Sequence, residues 1–322
     1  LAGLIYWVNP TALPIALPLL FIWAIGPQIA QWISQPYGRS VPPLLPDQRQ
    51  QLHTLARRTW LFFEEFVGPD DNWLPPDHFQ ESPRGVVAHR TSPTNIGLYL
   101  LSILGAYDLG YISPLTLTLR LRSTFDTLDR LDRYRGHYLN WIDTRTLAPL
   151  PPSYVSTVDS GNLAGCLLAL KQGCLTLPQQ PAWRWQRWQG LLDTLAVLSE
   201  ALADEDMAAV CQQHLAHMRQ QVLEIQNQPE QWGRLLRHLL DHEQPILSTH
   251  LMALVEASEA IEARTIHTWR VYAERISHHL QGMQREVNSV LPWVLPFSQP
   301  PSFVSQSADP AMNLWAVVTS RA

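Results

Sequence analysis

The sequence predicts an all-α protein of the α/α-toroid type, preceded by a transmembrane helix. Three observations carry that reading. Apolar residues recur at three- and four-residue spacing through most of the chain after residue 46. Two of these runs open on Ser-Pro, a helix cap followed by proline at the first helical position. Polar, aromatic-rich loops separate the helices, as they do at the mouth of a ring of helix pairs. No repeat of solenoid length recurs, which disfavours a stacked array.

Residues 1–38 carry no charged side chain; Arg39 is the first. Within them "ALPIALPLLFIWAIGPQIAQWI" is long enough for a bilayer span, which needs about 20 apolar residues. Pro14, Pro18 and Pro27 would break a soluble helix but are better tolerated in a membrane. A signal peptide is a poor fit, because there is no basic leading region and no small-residue cleavage site. The segment is read as the tail of a larger membrane region, in a chain that starts with Leu rather than Met. The alternative is a buried apolar segment of a soluble protein. Residues 39–46 form a Pro-rich linker.

The helical body is expected over 47–297. Leu52, Leu55, Trp60 and Phe63 place a helix over 47–66, and a Pro- and Asp-rich loop follows to His89. Ser92 caps a helix over 93–108 that ends near Gly110, and Ser113 caps another that runs to about Tyr134. Residues 136–158 alternate aromatic and β-branched side chains around the turn-like "DTRT", which predicts a short hairpin or ordered loop. Helices resume over 162–175, 182–203, 204–226, 229–241 and 245–288, the last long enough to be two. Residues 298–322 have no sustained period and are read as an irregular end.

The net charge is -5, and the basic residues are scattered, so nothing points to a nucleic-acid partner. Cys166, Cys174 and Cys211 form no C-x-x-C pair and leave an odd count, which fits a reducing compartment rather than a disulfide framework. His238 and His242 stand four apart, a spacing that can bind zinc. With no third ligand evident they are read as a solvated helix face, and no metal is expected. No phosphate loop, dinucleotide fingerprint or nucleophile elbow occurs.

Three polar-aromatic clusters remain: residues 71–81, residues 88–102, and residues 136–144 together with 156–165. In the second, His89, Arg90, Thr91, Ser92, Thr94 and Asn95 precede Ile96, Leu98, Leu100 and Leu101. Capping needs one or two of those polar groups, not six. Trp73, Trp141, Tyr138 and Phe79 offer flat faces for a pyranose, and the Asp, Asn, Gln, His and Arg side chains offer the donors and acceptors that hydroxyls need. The candidate substrate-binding residues are Trp73, Asp77, Gln80, His89, Arg90, Asn95, Asn140, Trp141, Asp143, Asp159 and Asn162. Each also has a plain structural reading. Asp159 or Ser160 caps a helix, the tryptophans belong to the core, and Arg90 pairs with Asp77 or Glu81 to hold the loop. Of Glu64 and Glu65, one is expected to face inward or toward the mouth.

Four stretches carry a family resemblance: "TWLFFEEFVGPDDNWLPPDHFQESP", "VAHRTSPTNIGLYLLSILGAYDLGYI", "RYRGHYLNWIDTRTLAPLPPSYVSTVDSGNLAG" and "VLPW". They resemble the glycoamylase-like middle region of the cyclic β-1,2-glucan synthases, strongly over about 45–175 and weakly over 176–295. The resemblance implies an (α/α)6 toroid, incomplete in this chain, that closes linear β-1,2-glucan into a ring by transglycosylation. It implies a bacterial inner-membrane protein with the helical domain on the cytoplasmic side. Residues 1–38 would be the last span of a membrane glycosyltransferase that uses UDP-glucose; this chain itself is expected to hold no cofactor. A phosphorylase-like module would follow.

Transglycosylation needs two carboxyl groups flanking the glycosidic bond. The family's glutamates lie in later segments with no counterpart here, so the catalytic pair is expected to be missing. The catalytic residues are therefore left unassigned, with Asp143 and Asp159 as the candidates within this chain. A self-contained glycoside hydrolase would draw on them together with Asp77 and Glu81, and a non-catalytic membrane-anchored glycan-binding protein would need none. A truncated toroid predicts exposed apolar faces on the helices between Ala182 and Asn288. His89, Arg90, Thr91 and Asn95 would line the sugar site. Arg90 should pair with a carboxylate from another cluster, and Trp73 or Trp141 should stay partly open.

Overall fold

In this mostly helical chain Ser92, Ser113 and Ser156 each cap the helix that follows them. A computed structural model describes residues 7, 9–34, 43–181, 183–203, 205–257 and 262–290. Residues 39–42 of the expected linker and the whole of 298–322 lie outside them. Contacts divide the chain into two compact units, Leu1–Pro46 and Asp47–Ala322.

In the first unit a 3₁₀ turn, Pro10–Ala12, leads into α1, Leu13–Ile33. One proline lies in its first turn, while Pro18 and Pro27 sit inside the helix and each removes a backbone donor. The Ser34 N–H closes the end on Ala30 and Trp32 carbonyls. Ile15, Phe21, Trp23, Trp32 and Ile33 are exposed on its surface. Among the described residues α1 is the helix long and apolar enough to cross a membrane by length and composition.

All but the first residue of α2, Pro46–Phe66, belongs to the second unit, and the helix buries Thr54, Arg57 and Trp60. A 3₁₀ turn at Pro69–Asp71 follows, and Asn72 and Trp73 adopt positive φ (51° and 60°) to turn the chain. Strands β1, Phe79–Gln80, and β2, Val86–Val87, make a small hairpin, and β3, Arg90–Thr91, leads into α3, Pro93–Asp108. Ser92 accepts from the Asn95 N–H at 3.3 Å, and Ser113 accepts from the Thr116 N–H at 3.1 Å to start α4, Pro114–Leu128. Both Ser-Pro starts therefore work as their residues predict.

Two boundaries differ from the sequence reading. Helix α4 ends at Leu128 rather than near Tyr134, because β4, Arg133–Tyr134, pairs with β5, His137–Tyr138. The connecting residues Arg135 and Gly136 both have positive φ, the backbone that a two-residue hairpin turn requires. Helix α5, Thr157–Thr176, starts earlier than expected, with Ser156 as its cap instead of Asp159 or Ser160. Between them β6, Ile142–Asp143, pairs antiparallel with β3. The chain continues through α6, Trp185–Ala201, α7, Ala209–Glu224, and α8, Trp232–His238. A π-helical turn, Leu239–Glu243, precedes α9, Gln244–Ala257, and α10, Ala263–Val290, so the long last run is two helices.

Helix α3 packs along α5, and α6 along α10. Two apolar clusters result. One holds Trp60, Leu74, Tyr99, Leu100 and Ile103; the other holds Trp188, Leu195, Leu236, Trp269 and Met283. A polar seam joins them. Asp193, wholly buried, accepts from Tyr111 at 3.1 Å and lies 2.8 Å from the His53 ring nitrogen. Arg57 donates to Thr194 at 3.0 Å, and Arg184 donates to the Tyr107 carbonyl at 2.7 Å. Gly110 lies in this seam at φ +80°, and a Cβ there would fall 1.7 Å from the Gln186 carbonyl oxygen. Only glycine fits both the backbone and the approach.

The expected apolar exposure between Ala182 and Asn288 is not concentrated there. Met207, Val210, Leu223, Ile246 and Met252 are exposed in that region, but Leu115, Leu119, Val158, Leu168 and Leu175 on α4 and α5 are exposed as well. Helices α6 to α10 bury most of their large side chains against one another, so their apolar faces are largely covered.

Candidate functional site

The loop after α2, the start of α3 and the strand β6 converge. The short β3–β6 ladder sets Arg90 opposite Asp143 and Thr91 opposite Ile142. That pairing joins residues about fifty positions apart, and it brings the second cluster onto the third. The first cluster joins through backbone bonds, Asp77 N–H to the Ala88 carbonyl and Ala88 N–H to the His78 carbonyl.

Arg90 is the hub. Its Nε and Nη2 donate to Asp77 Oδ2 at 3.1 and 3.0 Å, and its guanidinium carbon lies 4.9 Å from the Trp141 ring centre. Asn95 donates to the other Asp77 oxygen at 3.4 Å. Burial pushes the Asp77 carboxyl up, but hydrogen bonds from Arg90, His78 and Asn95 outweigh it and hold the group below its ordinary value. The expected carboxylate partner of Arg90 is thus Asp77; Glu81 instead pairs with Arg264 at 2.7 Å. Trp141 is held at φ 60° and stays partly exposed.

A second group adjoins the first. His89 Nδ1 lies 2.7 Å from Asp71 Oδ1, and Thr144 Oγ1 donates to that same oxygen. Asn72 donates to the carbonyls of Thr144 and Arg145, and the Thr144 N–H donates to the His89 carbonyl, which ties the loops together. Asp143 is occupied by its own turn. Its Oδ1 accepts from the Thr146 N–H at 2.7 Å, the Thr146 hydroxyl and the Arg145 N–H. The Thr146 backbone bond is the main reason its carboxyl sits below the usual value.

Other predicted residues lie at the margin or elsewhere. Asn162 donates to Thr94 at 3.0 Å, which links the starts of α3 and α5. Burial raises Asp159, but hydrogen bonds with Ser156, Thr94 and Ser92 bring its carboxyl to a net lowered value at the same junction. Asn140 is buried and donates to the Tyr154 hydroxyl at 2.9 Å, and its side-chain oxygen has no hydrogen-bond partner among the described residues. Gln80 donates to the Ser82 carbonyl within its own hairpin. Trp73 is partly exposed and lies by α4, under the Arg120 guanidinium at 5.8 Å, with its carbonyl accepting from Thr124. Glu64 pairs with the buried Arg57 at 2.9 Å, so it is the inward-facing member of its pair.

Sequence reasoning passed over Asp71, Asn72 and Thr144. Asp71 and Thr144 stood at the edges of quoted clusters, but their partnership spans 73 residues. The reading of His238 and His242 as a solvated face is corrected in part. His238 Nε2 lies 3.0 Å from Glu243, a buried carboxylate that His214 and His217 also approach. Among the described residues no group of three or more His, Cys, Asp or Glu could hold a metal ion.

Residues across this chain align with the cyclic beta-(1,2)-glucan synthase NdvB of Rhizobium meliloti (strain 1021), at 44% identity over 198 residues, which is 61% of the chain. Over that stretch the chain is similar to a cyclic β-1,2-glucan synthase. The match spans 7% of that relative's length. No family model matches the chain.

Proposed function

We propose that this chain is part of a membrane-bound cyclic β-1,2-glucan synthase and supplies glucan-binding residues to the domain that cyclises linear β-1,2-glucan by transglycosylation. The observation that supports this is the convergence of Asp77, Arg90, Asn95 and Trp141 from three loops. A partly open indole flanked by charged donors and acceptors suits a pyranose, whose C–H face stacks while its hydroxyls hydrogen-bond. In this reading the helical body is the N-terminal part of an (α/α)6 toroid whose mouth these loops build. The catalytic carboxylate pair belongs to parts of the synthase with no counterpart here. Asp143 and Asp159 are engaged by their own turn and by helix starts, which argues against either as acid or nucleophile.

Helix α1 would be the span that holds the protein in a bacterial inner membrane, with the helical body on the cytoplasmic side; its length and apolar surface support a span. UDP-glucose would serve the glycosyltransferase module and not this chain.

Calorimetric titration of the full chain with linear β-1,2-glucan oligosaccharides tests the reading. Trp141→Ala should weaken binding about tenfold, the loss of one aromatic platform, with the helical circular dichroism unchanged. Equal affinity in the variant, or no binding by the wild-type chain, would remove the glucan site from these loops.

A further inference from the structure

Of the four carboxylate oxygens of Asp77 and Asp143 around Arg90, three already accept hydrogen bonds. Asp77 serves Arg90 and Asn95, and Asp143 serves Thr146 and Arg145. A sugar hydroxyl entering this site needs an acceptor of its own. His89 offers one. Its Nδ1 faces Asp71 Oδ1, an acceptor-only carboxylate that is 6% exposed and also accepts a hydrogen bond from the Thr144 hydroxyl. The proton of a neutral ring must then sit on Nδ1, and Nε2 keeps its lone pair. Among the described residues Nε2 has no hydrogen-bond partner, and the ring is partly exposed beside Arg90.

We infer that Asp71 is a positioning residue: it fixes His89 as the Nδ1–H tautomer, so that Nε2 accepts a hydrogen bond from a hydroxyl of the bound glucan. The ligand half of this rests on the glucan reading above; the tautomer half does not. Thr144 supports the same geometry twice, through its hydroxyl on Asp71 and its N–H on the His89 carbonyl. The ring is therefore held at both its side chain and its backbone. The carboxylate–imidazole arrangement is the one that sets the tautomer wherever an orienting Asp meets a His.

Nitrogen-15 correlation spectra of the histidine rings, recorded on the full chain at mildly alkaline pH, read the tautomer directly. His89 should be Nδ1–H in the wild type. In Asp71→Asn, whose amide can donate as well as accept, the ring should shift toward Nε2–H, and affinity for linear β-1,2-glucan should fall about tenfold. Two further variants separate ligand contact from loop support. His89→Gln can place an acceptor near the Nε2 position, whereas His89→Asn reproduces only the Nδ1–H donor to Asp71. Binding kept better by Gln than by Asn supports the inference. The reverse order means that His89 serves only to hold Asp71, which overturns it. An Nε2–H ring in the wild type also overturns it, and that measurement needs no variant to fold. Absence of any glucan binding by the wild-type chain refutes the ligand and the glucan reading together, while the ring spectrum still judges the Asp71–His89 dyad by itself.

Discussion

Arg187 and Glu286 form an ion pair, Nε to Oε2 at 2.9 Å, with side chains only 3% and 5% exposed. The pair lies in the polar seam between the two apolar clusters, and Arg187 also donates to the Gly110 carbonyl. His279 completes it. Burial and then the nearby Arg187 charge drive that imidazole well below its ordinary range, so it stays neutral and its Nε2–H donates to the Arg187 carbonyl at 2.8 Å.

Removing one partner of such a pair strands the other charge in a buried site. Arg187→Met should therefore destabilise the chain by about 3–5 kcal/mol, read from denaturant unfolding. Replacing both, Arg187→Met with Glu286→Leu, should recover much of the loss, because an apolar pair of similar volume no longer buries a charge. A double variant as unstable as the single one would show that the Gly110 carbonyl contact, not the charge, is what matters.

Gly110→Ala should be harmful through a different cause. The residue sits at φ +80°, which costs an L side chain about 1–2 kcal/mol by itself, and the added Cβ would overlap the Gln186 carbonyl. The start of α6 would have to move, and the Arg184 bond to the Tyr107 carbonyl depends on that start. We expect a loss above about 2 kcal/mol together with faster amide exchange in the first turn of α6. A loss no larger than a few tenths would mean the seam is loose.

These two features also mark where sequence reasoning stopped. The helices were legible because their signals are local: Ser92-Pro93 and Ser113-Pro114 each announce a start, and spacing of three and four announces a buried face. The start of α5 was misplaced because Asp159-Ser160-Gly161 carries capping chemistry one turn inside a helix already capped by Ser156. The hairpin at Arg133–Tyr134 was absorbed into α4 because Arg135 gives no sign of positive φ. At the site, Asp77 with Arg90 was foreseen as a pairing, since the two lie only thirteen residues apart. Asp71 with His89 and Thr144 was not, because a two-residue ladder between β3 and β6 leaves almost no periodicity to read. Asn140 has the right composition for a sugar ligand and turned inward to Tyr154. Composition does not give direction.

The last expectation concerns acid. The Asp77 carboxyl is held below its ordinary value, with burial opposing and the Arg90, His78 and Asn95 hydrogen bonds prevailing. A folded value below the unfolded one means that the ionised form contributes stability above the ordinary carboxylate range, at about pH 4. That contribution is lost as pH falls through the lower folded value. Asp143 and Asp159 are shifted in the same direction, so acid loss in the wild type is a sum over several groups. Asp77→Asn isolates one of them. The stability difference between wild type and Asp77→Asn should be constant from neutral pH to about pH 5 and shrink below about pH 4. Its size should stay near or below about 1 kcal/mol, since Arg90 is about half exposed and solvent screens the pair. Denaturant unfolding at a series of pH values measures this, and a difference that widens on acidification would rule out Asp77 as the ionised anchor of Arg90.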